Sequence, residues 1–492
     1  MIVFSRALLT LMLVIAGSLL CQGQAIDGRS SLQATSDYYD QITSRLDISS
    51  GPNVAALNQF FSLMPKGGDL HLHYSGAIYA ETFLDWVAKE GNWINRESLK
   101  IETSKSPESL TVAELRKEDP LYRELLQRWS DRDFRSFFHE EMAPDEQFFQ
   151  TFSYFVDLAA RHIPAGLRQL KRRAKQENLQ YLEIMLAAVD FEYSDPAFDR
   201  GLFELKATGQ QSAILSHYED CRKKLDADPR FKQAVGKLVK DVELYHQGMD
   251  DDDFLMRYQT YAYRDSPPSN VFASLYAGFS AASQSDLIVG VNILGPENGI
   301  IALRDYRLHM LMFHLLHQKF PEVRISLHAG ELVLGMVRPE NLSFHITEAV
   351  RVAGAQRIGH GVDIVHERDS LTLLPEMASK KIAVEINLTS NQFILGVEGA
   401  AHPITVYQRF GVPLVISTDD PGVSRNNLAN QYMLMATRYR FPYPTVKEII
   451  TNSIRYSFLS PRERERTLET LQAEFQRFET QMADLAEGPQ QR

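Results

Sequence analysis

Eight short β-type runs recur along this chain of 492 residues, with helical segments between them. The runs are GDLHLH (68–73), LQYLEIMLA (179–187), MRYQTYAYR (256–264), DLIVGVNILG (286–295), VRISLHAGE (323–331), AQRIGHGVD (355–363), KIAVEINLTS (381–390) and PLVISTDDP (413–421). Strands that alternate with helices form a parallel sheet in an α/β protein. Eight such units favour a (β/α)8 TIM barrel, and a doubly wound open sheet is the competing fold.

An apolar segment precedes the barrel pattern. After Arg6 comes the run ALLTLMLVIAGSLL, which is short for a membrane span and is followed by small and polar residues that permit cleavage after Ala25. We predict a signal peptide over residues 1–25 and an exported protein, either periplasmic or extracellular. An uncleaved anchor is the alternative, and lipid attachment at Cys21 is disfavoured because two bulky leucines precede it.

The rest of the chain divides by its residue pattern. Residues 26–60 form an N-terminal extension, residues 61–445 form the barrel, and residues 446–492 form a C-terminal helical segment. After the first strand, residues 80–178 show helical periodicity and no convincing strand. We therefore predict a helical insertion at that point of the barrel.

Charge and cysteine content exclude some classes of protein. The chain has 52 Lys and Arg against 63 Asp and Glu, and this acidic balance disfavours nucleic-acid binding. Cleavage after Ala25 would leave Cys221 as the only cysteine, so an exported form must be stabilised by its core. The zinc deaminase design built on H-x-E and P-C-x-x-C is excluded for the same reason.

Two histidines of the first strand, His71 and His73, stand one residue apart. Side chains at i and i+2 of a strand project from the same face, so both rings are expected to point into the barrel mouth. That arrangement suits two ligands of one metal ion. Taken alone, the H-x-H pattern is weak, because an ordinary strand with inward polar residues produces it as well.

Polar residues also gather at the ends of three later strands. His328 and Glu331 end one run, His360 ends another, and the pair Asp419-Asp420 ends the last. Singly, these motifs are explained by a turn, a glycine-rich corner and a helix N-cap carboxylate. Because TIM-barrel active sites lie at the C-terminal ends of the strands, their coincidence predicts one catalytic centre.

The pattern includes a candidate ligand set for zinc or another borderline divalent ion, with room for water. Its members are His71, His73, His328 and Asp419. A bound divalent ion lowers the pKa of its water to about 7 and so supplies hydroxide near neutral pH. The set therefore predicts a hydrolytic metal centre.

The other polar residues are assigned to proton transfer and substrate contact. Glu331 lies in the turn beyond His328 and is expected to donate a proton, while His360 is expected to orient the water or remove its proton. Asp420 is on the opposite face from its neighbour Asp419, where it can contact substrate or the ligand shell.

Five motifs together resemble the signature of the adenosine deaminase family. In chain order they are MPKGGDLHLH, SLHAGE, RIGHG, LTSN and STDDP, and the resemblance spans roughly residues 60–425. The leader, the extension, the helical insertion and the MPKGG segment resemble the secreted branch of that family, the adenosine deaminase-related growth factors.

The resemblance implies a role for each site residue. The four candidate ligands match the family's zinc ligands, Glu331 matches the acid that protonates purine N1, and His360 matches the residue that activates or orients the hydroxide attacking C6. Asp420 matches the group that hydrogen-bonds N7, and Gly295 matches the backbone donor to N3.

Two positions depart from the family pattern. Other members carry an aspartate that holds the ribose where this chain has Ser75, and an acidic residue where it has Asn292. Neither change is expected to touch the metal ligands or the proton donor. Hydrolytic chemistry is therefore predicted to be intact, and sugar recognition is the part in question.

Together with the family resemblance, these observations predict an exported enzyme with one Zn2+ per chain. The predicted reaction is hydrolytic deamination of adenosine or 2′-deoxyadenosine to the corresponding inosine and ammonia. The enzyme's partners are a small purine nucleoside and water, with no nucleic acid, and with a membrane only if the leader is uncleaved or lipidated. A homodimer is compatible with the sequence. The alternatives are a hydrolase of another amine and a secreted binding or signalling protein on the same barrel.

Overall fold

The structure, a computed structural model, describes residues 30–44, 51–132 and 142–486. The leader predicted at residues 1–25 lies outside this part of the chain. Among the described helices, none combines the length and apolar character needed to cross a membrane.

Eight of the strands in the described residues form a parallel barrel. The strands are β1 (Gly67–His73), β2 (Trp93–Asn95), β3 (Ile101–Glu102), β4 (Ser109–Leu110), β5 (Leu179–Ala187), β6 (Leu255–Tyr263), β7 (Ile288–Leu294), β8 (Arg324–Ala329), β9 (Arg357–His360), β10 (Ala383–Ile386) and β11 (Leu414–Ile416). The barrel order is β1-β5-β6-β7-β8-β9-β10-β11. The sheet closes where Asp419 donates its N–H to the carbonyl of His71 (2.9 Å) and accepts from the N–H of His73 (3.0 Å). The predicted TIM barrel is confirmed, and each of the eight predicted runs overlaps one barrel strand.

Helices surround this barrel and cover its outer face. They are α1 (Ser31–Thr43), α2 (Val54–Leu63), α3 (Ala80–Glu90), α4 (Val112–Leu115), α5 (Asp119–Arg128), α6 (Pro144–Arg161), α7 (Ile163–Gln176), α8 (Pro196–Thr208), α9 (Gln211–Ala227), α10 (Pro229–Tyr245), α11 (Pro268–Ala282), α12 (Ile300–Lys319), α13 (His345–Glu348), α14 (Ser370–Lys380), α15 (Leu388–Leu395), α16 (Ile404–Arg409), α17 (Leu428–Tyr439), α18 (Tyr443–Arg455) and α19 (Pro461–Ala486). Because helices cover the parallel strands, strands such as β5 are buried along nearly their whole length.

The insertion between β1 and β5 contains a small sheet as well as helices. Strands β2, β3 and β4 form an antiparallel sheet in the order β3-β2-β4. The sequence analysis found no convincing strand in this segment, and that prediction is wrong. The three strands have only two or three residues each, too few for an alternating pattern to reveal them.

The N-terminal extension packs against the C-terminal helix. The Phe60 ring of α2 lies 5.4 Å from the Tyr39 ring of α1 and 5.1 Å from the Phe478 ring of α19. The Thr35 hydroxyl of α1 donates to the carbonyl of Glu479 at 3.2 Å. These contacts join the two segments into the same hydrophobic core as the barrel.

Candidate active site

The predicted site residues come together at the C-terminal end of the barrel. His71 and His73 lie in β1, His328 lies in β8, and His360 ends β9. Asp419 follows β11. His360 and Asp419 both have left-handed backbones, with φ of 66° and 63°. Such strained non-glycine residues concentrate at functional sites, which agrees with this location.

Ligand atoms of these residues lie close to one another. Two groups could each hold a metal ion, namely His71, His328, His360 and Asp419, and His73 with Asp419 and Asp420. Asp419 Oδ1 lies 3.2 Å from His71 Nε2 and 3.1 Å from His73 Nε2, and the Nε2 atoms of His73 and His328 are 3.2 Å apart. Zinc–nitrogen bonds of about 2.0–2.1 Å in a tetrahedral site place neighbouring ligand atoms roughly 3.3 Å apart. The spacing and the donor set therefore fit a divalent ion of that size.

His71 shows that the cluster favours positive charge. Its Nε2 is buried and has no well-aligned hydrogen-bond partner among the described residues. Burial works to lower the pKa of His71, but the carboxylates of Asp419 and Glu385 outweigh burial and raise it to about 10. A bound cation would neutralise the same carboxylates and leave this nitrogen to act as a ligand.

Residues behind the ligands fix two of the imidazole rings. His71 Nδ1 lies 2.7 Å from Glu385 Oε2, and His328 Nδ1 lies 3.0 Å from Asn292 Oδ1. Each contact occupies Nδ1 and turns Nε2 of the same ring toward the centre, as partners of metal-ligating histidines do. Arg357 Nε donates to Glu385 at 2.5 Å and anchors it in turn.

The position of Asn292 corrects one expectation. The sequence predicts that this departure touches neither the metal nor the proton donor, but the side chain contacts one of the candidate ligands, His328. The side chain of Asn292 also accepts from the N–H of Ile293 at 2.8 Å, which holds Oδ1 against His328. An uncharged acceptor therefore stands behind one candidate ligand.

Glu331 faces a cavity of about 350 Å³ beside the cluster. Its Oε1 is buried, lacks a hydrogen-bond partner in the described part of the chain and lies 3.5 Å from His360 Nδ1. Burial raises the pKa of Glu331 well above its usual range, and the charges of Asp419 and Glu297 act in the same direction. A carboxyl group kept protonated in this way can donate a proton.

The LTSN motif sets the orientation of His360. Asn391, its last residue, places Nδ2 3.0 Å from His360 Nδ1 and Oδ1 3.1 Å from His402 Nε2. Because an amide nitrogen only donates, His360 Nδ1 accepts, and the proton of the neutral ring lies on Nε2. Burial lowers the pKa of His360 to about 3, so the ring is neutral near pH 7. It is therefore prepared to orient a water molecule by donating from Nε2.

The three predicted substrate contacts, Ser75, Gly295 and Asp420, line the same cavity. Asp420 Oδ1 is buried and lacks a hydrogen-bond partner within the described residues. Burial and the charge of Asp419 raise the pKa of Asp420 well above its usual range, so this carboxyl is a hydrogen-bond donor into the cavity. The nine site residues predicted from sequence thus lie in one place, with His71 behind the cavity wall.

One wall of the cavity is aromatic, and the sequence analysis missed it. Helix α6 contributes Phe148, Phe149 and Phe152, and β6 contributes Tyr261 and Tyr263. The run FFQTFSYFV does carry the signal, but its spacing fits a helix packed on a core equally well. Side chains of this type stack on planar heterocycles, so the wall suits a flat ligand.

The charged side chains around the cavity all belong to acidic residues or histidines. The carboxyl groups are those of Asp265, Glu331, Asp419 and Asp420, and no Lys or Arg is among the described lining residues. A ligand that carries phosphate would find no cationic side chain among the described residues of this wall to pair with its charge.

The fold and the site together define a class, namely a TIM barrel with a candidate divalent-metal centre at the ends of its strands. The adenosine deaminase family model matches residues 269–474. The match shows that this segment, which is less than half of the chain, is similar to that family. His71 and His73 precede the matched segment, and the barrel brings them to it.

Two curated relatives are adenosine deaminases. The protein of Yersinia pseudotuberculosis serotype IB (strain PB1/+) is 35% identical over 144 residues, which cover 29% of this chain and 40% of the relative. The protein of Escherichia coli (strain SMS-3-5 / SECEC) is 30% identical over 180 residues, which cover 36% of this chain and 49% of the relative. The chain thus matches less than half the length of each relative.

Solved structures with the same fold include three with low sequence identity. An adenine deaminase from Arthrobacter aurescens has a TM-score of 0.53 at 17% identity, over 83% of this chain and 98% of that chain. An amidohydrolase from Burkhoderia ambifaria with bound Zn has a TM-score of 0.53 at 16% identity, over 90% and 98%. The N6-methyl-AMP deaminase from Arabidopsis thaliana has a TM-score of 0.53 at 17% identity, over 85% and 98%. At this identity the likeness establishes the fold.

Proposed function

We propose that this protein is a metal-dependent hydrolytic deaminase that converts adenosine or 2′-deoxyadenosine to the corresponding inosine and ammonia. The observation that carries the proposal is the cluster of histidine and aspartate ligand atoms beside the buried carboxyl of Glu331, in a cavity with an aromatic wall. The family match over residues 269–474 supports the same reaction.

Zinc is the metal that we propose, held by His71, His73, His328 and Asp419. When bound, a divalent ion in such a set lowers the pKa of its water to about 7 and so makes a nucleophile available near neutral pH. The bound Zn of the Burkhoderia amidohydrolase supports this choice.

The side chains around the cavity would then carry out the proton and positioning steps. Glu331 gives its proton to purine N1 while the oxygen of water, oriented by Nε2–H of His360, adds to C6, and the proton that the water loses returns to the Glu331 carboxylate. The hydroxyl proton of the adduct then moves to N6. Protonated Asp420 donates to N7, and the backbone N–H of Gly295 donates to N3. Cleavage of the C6–N6 bond releases ammonia and leaves a 6-oxopurine.

The acidic lining favours a nucleoside over a nucleotide, and a panel of four compounds tests this. Purified protein would be given adenosine, 2′-deoxyadenosine, AMP and adenine, with turnover followed as loss of absorbance near the adenosine maximum. We expect kcat/KM for the two nucleosides to exceed that for AMP by at least about a hundredfold, because the described cavity lining offers the phosphate no Lys or Arg partner. A preference for AMP, or no turnover of any of the four, would contradict the proposal.

Ser75→Asp tests where the sugar binds. If residue 75 faces the sugar, the new carboxylate should accept a hydroxyl hydrogen bond and lower KM for adenosine about tenfold, with kcat nearly unchanged. Adenine, which lacks the sugar, is the matched control substrate and should show no shift. Equal effects on both substrates, or none on either, would count against this placement of Ser75.

Gly76→Ala tests the role of Asp420. A Cβ at residue 76 would lie 1.5 Å from Asp420 Oδ1, so the substitution must displace that carboxyl group. We expect kcat/KM for adenosine to fall at least about tenfold, since a single misplaced contact can cost about a hundredfold. The control is Gly236→Ala in α10, where an added Cβ has no atom within 4 Å. Equal activity of the two variants would show that Asp420 has no part in the reaction.

We also propose that the protein is exported and belongs to the secreted branch of the family. The leader at residues 1–25, the extension and the insertion after β1 support both statements. N-terminal sequencing of protein recovered from outside the cytoplasm should give a chain that starts after Ala25. Recovery of the intact leader in the cytoplasmic fraction alone would contradict export.

A further inference from the structure

A buried carboxylate clamps the turn that presents the proposed proton donor. Glu297, which follows β7, is 2% exposed. Its Oε2 accepts the backbone N–H of Glu331 at 2.8 Å, and its Oε1 accepts the backbone N–H of Gly330 at 3.1 Å. Successive backbone N–H groups that converge on one anion form a recurrent anion-binding turn. Here the anion is a side chain of the protein itself.

The clamp is held from its other side by aromatic and cationic groups. His345 Nδ1 lies 2.6 Å from Glu297 Oε1, and the His345 ring stacks on Tyr306 at 3.7 Å between centroids. The Arg264 guanidinium lies 3.7 Å from Glu297 Oε2. Although burial opposes ionisation, His345 and Arg264 lower the pKa of Glu297 to about 2, so it is a carboxylate near pH 7.

Arg264, which lies beside Glu297, also contacts the other end of the turn, where the candidate ligand His328 stands. Arg264 Nη2 donates to the carbonyl of His328 at 2.8 Å and to that of Ile293 at 3.2 Å. Gly330 lies between His328 and Glu331 and has φ of 77°. Glycine adopts this conformation easily but is also free to leave it, so contacts from outside the turn are needed to hold it. These contacts hold both ends of the turn from His328 to Glu331, and among the described residues Glu331 Oε1 has no hydrogen-bond partner that would hold it directly.

We infer that Glu297 is a positioning residue, which fixes the carboxyl of Glu331 at the reacting face of the substrate by holding the two backbone amides of its turn. The inference rests on the proposed function, because it concerns how the proton donor of that reaction is placed. It predicts that Glu297 acts only through Glu331.

A double-mutant cycle tests this dependence. Glu297→Gln keeps the shape but turns an amide NH2 toward a backbone N–H, so kcat for adenosine should fall about a hundredfold with KM within about threefold. In the Glu331→Gln background the same change should cost nothing further, because residues that act as one unit are not additive. Glu297→Asp, which keeps both oxygens and the charge, should recover part of the loss. Multiplicative losses in the double variant would overturn the inference.

Hydrogen–deuterium exchange tests the clamp without relying on turnover. Exchange of the Gly330 and Glu331 amides should rise in Glu297→Gln while the rest of the barrel stays protected. The matched control is Glu367→Gln, since Glu367 is also buried and also accepts a backbone N–H, that of Ile346 at 2.6 Å. Unchanged exchange at the turn would overturn the inference. Absence of wild-type turnover would instead refute the proposed function, and the exchange result would still decide the clamp.

Discussion

Glu331→Gln should retain the metal and lower kcat for adenosine by about a thousandfold, within the range that general acid–base groups contribute. The substitution keeps the size of the side chain and removes the proton that burial holds on the carboxyl group. Glu331 is absent from the ligand cluster, so its loss leaves the four ligand atoms in place. Steady-state kinetics and metal content, measured on the same preparation, check both halves of the expectation.

The control for this substitution is again Glu367→Gln, which changes a buried carboxyl group that is not among the residues lining the cavity. It should cost stability but keep kcat close to that of the wild type. Near-normal turnover by Glu331→Gln would remove this residue as the proton donor. Loss of metal from Glu331→Gln would assign it to the ligand set instead.

Asp419→Ala should lose both metal and turnover. Asp419 Oδ1 lies close to Nε2 of both His71 and His73, so its removal takes away a ligand and its negative charge. We expect bound metal to fall from about one ion per chain to below about a tenth, because three imidazoles must then hold the ion without the carboxylate. His71→Ala should give the same result. Elemental analysis after gel filtration measures it.

His314→Ala is the control for the histidine variant. His314 lies on α12, where its Nδ1 is 3.1 Å from the carbonyl of Val352, away from the cluster. This variant should keep its metal and its activity. An Asp419→Ala protein that retained a full complement of metal would contradict the proposed ligand set.

The barrel was predictable because each strand carries its own local signal. The eight runs are short, of β-type composition and separated by helical segments, and each overlaps one barrel strand. The small sheet of the insertion lacked such a signal. Its strands pair within the insertion, as Ile94 does with Ile101 and Leu110, and contacts between such short segments are not encoded by periodicity.

The cavity-facing residues were predictable because strand ends in a barrel share one rim. Residues behind them were not. Glu385 contacts His71 across 314 positions of sequence, and Asn292 contacts His328 across 36, so closure of the barrel decides both pairs. The aromatic wall depends on how α6 folds over the mouth, which its helical pattern does not specify. Glu297 was missed because it reaches the site through backbone amides.

Ammonia release from adenosine, before and after metal removal, tests the central claim most directly. Purified protein would be assayed for ammonia and for the 6-oxopurine product, treated with a chelator until its metal is gone, and then resupplied with Zn2+. The proposed function predicts equal amounts of the two products, loss of both on chelation and recovery with about one Zn2+ per chain. Undiminished ammonia release by metal-free protein, or no release at any metal content, would contradict it.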